Sequence, residues 1–114
     1  MNTYPDIDEN GLLKSFEIDM WEAGPKILSE FIEKEIGGRV TERRKWFSGN
    51  EVHLKFIYNE SEYVVWEPFG DNNRYTICPA DNSNSNPDVI SEIQNEFIKF
   101  KPGLKGLITG FLQL

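Results

Sequence analysis

Glu51-Val52-His53-Leu54-Lys55-Phe56-Ile57-Tyr58 decides the fold. Val52, Leu54, Phe56 and Tyr58 alternate with Glu51, His53, Lys55 and Ile57, the period of a strand that buries one face. Ser48-Gly49-Asn50 ahead of it and Asn59-Glu60-Ser61 behind it are turn chemistry. Arg39 to Phe47 is therefore a charged strand candidate, and Glu62–Glu67 and Arg74–Cys78 continue the meander. Leu12 to Ile18 fits a first strand, and residues 1–10 read as a loose, acidic lead-in.

Two segments switch to the helical period. Ile27, Leu28, Phe31, Ile32 and Ile36 share a stripe behind Gly24-Pro25, where proline suits the first helical position. Asp19-Met20-Trp21-Glu22 also has capping-box spacing, which allows an earlier start. Gly37-Gly38 is the stop, because glycine takes the left-handed cap conformation at little cost. Residues 79–86 form a polar connector. Asn86-Pro87 then opens a second helix with Val89, Ile90, Ile93, Phe97 and Phe100 inward. The tail, residues 104–114, fits either a short helix or a last strand. The expectation is α+β: a single two-layer domain over residues 1–114, with a mostly antiparallel sheet of four or five strands. Two main helices, near 25–36 and 87–100, pack on one face. Phe31, Leu54, Phe56, Ile93 and Phe97 should be buried.

The chain has 114 residues, enough for one core without staples. Its net charge of -7 argues against a general nucleic-acid binder, which needs a basic footprint, and permits a basic protein partner. One cysteine makes no internal disulfide, and neither a secretory leader nor a membrane span is visible, so the sequence reads as soluble and cytoplasmic.

Chemistry-bearing residues are sparse. His53 is the only histidine and the obvious general base, but the alternation puts it on the solvent face of its strand. His53 and Cys78 lack zinc spacing, and Cys78 reads as a buried, inert thiol. Asp6, Asp8, Asn10-Gly11 and Glu17 imitate a calcium loop without the helix that should precede it. No cofactor is expected. Arg39, Arg43, Arg44 and Lys45 beside Trp46 read as charge protection of an edge strand rather than an RNA site. The run Val64 to Cys78 carries the best contact surface, because its polar loop is held by two strands. Trp66, Glu67, Phe69, Asp71, Asn72 and Arg74 lie along it, and His53 and Lys55 should share the face of Trp66. Arg74 is expected to tie down Glu67 and Asp71.

Asn10-Gly11-Leu12-Leu13-Lys14-Ser15-Phe16-Glu17-Ile18 and Trp66-Glu67-Pro68-Phe69-Gly70-Asp71-Asn72-Asn73-Arg74-Tyr75 resemble segments of small bacterial immunity proteins. These are the cytoplasmic antidotes of contact-dependent growth inhibition and related polymorphic toxin systems. The resemblance covers size and element order over roughly residues 10–100. It implies a monomer or weak dimer without activity of its own, which binds a cognate toxin domain, often a nuclease, and blocks its site. An acidic surface suits such a basic partner. The alternatives are an acidic secretion-type chaperone, dimeric through the Leu104–Leu114 tail, and a small enzyme using His53 with Glu67 or Asp71.

Overall fold

The computed structural model describes residues 1–43, 52–67, 73–81 and 86–101. Six strands form one sheet: β1 (Thr3–Ile7), β2 (Leu13–Asp19), β3 (Arg39–Arg43), β4 (Val52–Tyr58), β5 (Ser61–Trp66) and β6 (Arg74–Pro79). Their spatial order is β1-β2-β6-β5-β4-β3, and every neighbouring pair is antiparallel. The helices are α1 (Pro25–Phe31) and α2 (Pro87–Lys99). The expected α+β sandwich is thus observed, with one strand more than the sequence suggested.

That strand is β1, from the segment read as a loose lead-in. Its pattern hides the pairing, because Pro5 and Asp6 depress strand propensity. Its edge position explains the tolerance, since proline in a sheet is confined to edges and bulges. Asp8 builds the turn into β2: its side chain accepts from the N–H groups of Asn10 and Leu12 at 2.8 and 3.0 Å. The acidic run that imitated a calcium loop is this hairpin. Among the described residues, no cluster of three or more histidine, cysteine or acidic side chains is arranged to hold a metal ion.

The helices begin and end where the sequence placed them. A single 3-10 turn, Met20–Glu22, precedes α1, so the capping-box spacing marks a turn rather than the helix start. After Phe31 the helix widens into a π turn over Ile32–Ile36, which Gly37 closes at φ 83°. The Gly38 N–H then donates to the Ile32 carbonyl at 2.9 Å. Asn86 caps α2 by accepting from the Asp88 N–H at 3.0 Å.

Phe16, Ile18, Leu54, Phe56, Tyr63, Val65, Tyr75 and Ile77 point from the sheet into the core. Leu28, Phe31, Ile32, Ile90, Ile93 and Phe97 meet them from the helices. Phe31, Leu54, Phe56, Ile93 and Phe97 are all buried, as their periods require. Phe97 sits edge-on to Phe16 at 5.4 Å and to Phe31 at 5.0 Å, joining α2 to β2 and to α1. The Ser48–Asn50 turn, Arg44, Lys45, Trp46, the tail and residues 82–85 of the connector lie outside the described residues.

Truncating Phe97 to Ala should cost about 3–5 kcal/mol, because a fully buried ring leaves a cavity between three elements. Urea unfolding followed by circular dichroism would measure it. The β4–β5 hairpin gives a change of opposite sign. Asn59 and Glu60 both hold positive φ, 51° and 66°, in a two-residue connection that favours Asn-Gly. Glu60→Gly should therefore stabilise the fold by about 0.5–1 kcal/mol, visible as a higher urea midpoint.

Candidate surface on the sheet

A bulge in β4 sorts the candidate residues onto two faces. Val52 pairs with Trp66 and Leu54 with Val65, so His53 is an extra residue with no opposite number. In a regular strand His53 would face away from Leu54. The bulge instead turns both inward, and His53 is 7% exposed. The expectation of a solvent-facing histidine is therefore overturned. Val52, expected inward, moves to the open face as the partner of Trp66.

Beneath the sheet, the imidazole Nε2 lies 3.3 Å from Glu67 Oε1, and its ring centroid is 4.9 Å from that of Tyr75. Glu67 follows Val65 on the inward parity of β5, which brings it to the histidine. The pair fastens the bulge of β4 to the residue that leaves β5. The buried His53 needs such a partner, since an unpaired polar group in the core costs more than the bond returns. His53 is placed among core side chains, where it can brace two strands.

On the other face, Lys55, Trp66 and Arg74 stand together as the alternation predicted, without His53. Lys55 pairs with Glu42 at 3.3 Å. Arg74 meets Glu17 at 3.5 Å and Asp19 at 3.7 Å, both on β2; of the two carboxylates expected for it, Glu67 turns to His53 and Asp71 lies outside the described residues. The cause is register, because Arg74 lies directly opposite Asp19. Its guanidinium also rests 3.6 Å from the centroid of the Tyr4 ring, a cation–π arrangement. Tyr4 donates its hydroxyl to Asp19 at 2.9 Å, and that hydrogen bond raises the phenol above its ordinary pKa. Sequence reasoning missed Tyr4, Glu17 and Asp19 as site residues. The signal was weak: a Tyr in a segment read as loose, and two acids whose partner lies far along the chain.

Trp66, the last residue of β5, stands half-buried on the open face, which Val64 and Ile57 share. Its indole N–H is buried and meets no acceptor in good geometry. Cys78, diagonal to it on β6, is half-buried rather than fully enclosed. Burial pushes the Cys78 thiol up, and the Trp66 indole opposes that only in part. A raised thiol pKa means little thiolate at neutral pH, so Cys78 is a poor nucleophile. Phe69, Asp71 and Asn72 lie outside the described residues.

The helices of the described residues pack on the core face, leaving the second face of the sheet to these side chains. A face that mixes apolar and charged side chains in this way can dock another surface. No helix among the described residues is long and apolar enough to cross a membrane. Comparison with protein families, curated proteins and solved structures returned no match to this chain.

His53→Ala and Glu67→Ala should each lower stability by about 1–3 kcal/mol, because each removes one partner of a hydrogen-bonded pair held beneath the sheet. The double variant should lose less than the sum of the two. Urea titrations of all four proteins at pH 7 would show the coupling; strict additivity would mean that the pair contributes nothing as a pair.

Proposed function

We propose that the chain is an immunity protein that binds a cognate toxin domain, a basic protein of nuclease type, through the open face of its sheet. One observation carries this reading. Val64, Ile57 and Trp66 lie on the open face of the sheet with Lys55 and Arg74 among them and the carboxylates Glu17, Asp19, Glu42 and Glu62 around them, and the helices of the described residues lie on the other side. Interfaces repeat that anatomy, and large aromatic side chains dominate their energy. The net charge of -7 adds long-range attraction for a partner whose own site binds RNA or DNA. The sequence resemblance to toxin antidotes points the same way. Neutralisation then needs no chemistry by this chain: occupying the toxin's substrate path is enough.

Co-purification from cells carrying the gene in its own neighbourhood should yield a basic toxin domain. A secreted effector in its place would favour the chaperone alternative, and recovery of neither would sink both. On the complex, Trp66→Ala should cost on the order of 2 kcal/mol of affinity. A thermal melt of the same variant is essential. A folded Trp66→Ala protein that binds the toxin domain like the wild type would remove this face from consideration.

A further inference from the structure

Register lays one row of side chains across the open face. Tyr4 is opposite Glu17, Glu17 opposite Thr76, Thr76 opposite Trp66, and Trp66 opposite Val52. A second row, Cys78, Val64, Lys55 and Glu42, runs beside it. The C-terminal end of α2 lies at the Tyr4 end of the first row. The Met1 amino group donates to the carbonyls of Phe100 at 2.6 Å and Ile98 at 3.1 Å. Gln94 Nε2 donates to Thr3 Oγ1 at 3.0 Å. These bonds fasten α2 beside the start of the edge strand β1. Thirteen residues, 102–114, follow from that point. Leu104, Leu107, Ile108, Phe111, Leu112 and Leu114 make nearly half of them apolar, and Lys105 is their one charged side chain. Trp66 lies three strand spacings from β1, roughly 14 Å, and rounding the edge from the helical layer to the open face adds about 20 Å. An extended segment of thirteen residues reaches about 43 Å. The length therefore brings Phe111 and Leu112 to Trp66, and their tether keeps the closure cost low.

We propose that residues 104–114 of the free protein occupy the open face of its own sheet, with Phe111 and Leu112 over Trp66 and Val64, and that a partner protein binds by displacing them. The displacement rests on the protein-binding reading above; the seating of the segment does not. Contact with Phe111 and Leu112 takes apolar surface of Trp66 and Val64 out of water. A partner then meets a face whose apolar side chains are already covered, and its affinity is lowered by the fraction of molecules in the covered state.

Cys78 is the single cysteine and stands diagonal to Trp66, so its reaction with a maleimide reports on cover over the face. In the full chain, Phe111→Ser/Leu112→Ser should speed that reaction roughly tenfold. Ile98→Ser removes an exposed apolar side chain from α2 instead and should change the rate less than about twofold. Ile93→Val loosens the core, and a rate close to the wild type's separates uncovering from unfolding. Melting curves confirm that each variant is folded. In the wild type, the Phe111 ring should give nuclear Overhauser contacts to the Trp66 indole. Equal rates in the wild type and the Phe111→Ser/Leu112→Ser protein, an equal rise in either control, or the absence of those contacts would overturn the seating. A recovered toxin domain should bind the Phe111→Ser/Leu112→Ser protein more tightly, by up to about tenfold; unchanged or weaker binding would overturn the displacement. The labelling readout needs no toxin. A protected Cys78 together with failed recovery of a toxin domain would sink the antidote reading alone, and an unprotected Cys78 beside a recovered toxin domain would sink the seating alone.

Discussion

Phe97 stands where three elements meet, and the fold depends on what its ring touches. Phe16 on β2 and Phe31 on α1 both present themselves to it edge-on, and Phe31 also lies 4.1 Å from Phe100. Edge-to-face pairs add about 0.5–1.5 kcal/mol beyond the area they bury. More important is connectivity. The helices are far apart in sequence and share no hairpin. This aromatic cluster is what holds them against one side of the sheet, so that the described helices leave its other side uncovered.

The division into faces was largely legible. Leu54 and Phe56, Tyr63 and Val65, and Ile77 all bury as period-2 residues should. Two features escaped. Strand β1 was hidden by Pro5 and Asp6, because an edge strand tolerates residues that a central strand rejects. The bulge at His53 was hidden because an extra residue leaves no mark in a short alternating run; only pairing with β5 reveals it. That single insertion moved His53 from the proposed surface to the interior and gave Glu67 its partner. Phase within one strand is readable from sequence, but register between strands is set by contacts that no window contains.

The charge pattern shows the same limit. Asp19 and Arg74 are opposite each other because β2 inserts beside β6, skipping the meander between them. From sequence, Arg74 belonged with the carboxylates nearest along the chain. In the fold it also reaches carboxylates across the sheet, on β2. A surface ion pair adds little stability, with a median of about 0–1 kcal/mol. The contribution of this one is arrangement: it orients Tyr4 and concentrates acid at one corner.

The strand order has a kinetic consequence. Strands β3 to β6 pair in chain order, so each contact closes a short stretch of polypeptide. Joining Phe16 to Ile77 instead encloses most of the chain. Loop-closure entropy rises with the length enclosed, and topologies rich in such distant pairings fold slowly. We therefore expect the meander to assemble first and the β1–β2 hairpin to dock last, setting Glu17 and Asp19 against Arg74 in the same step. Substitutions in β2 would then speed unfolding far more than they slow folding, whereas those in β4 and β5 would do the reverse. The open face, on this view, is complete only once the whole chain has folded.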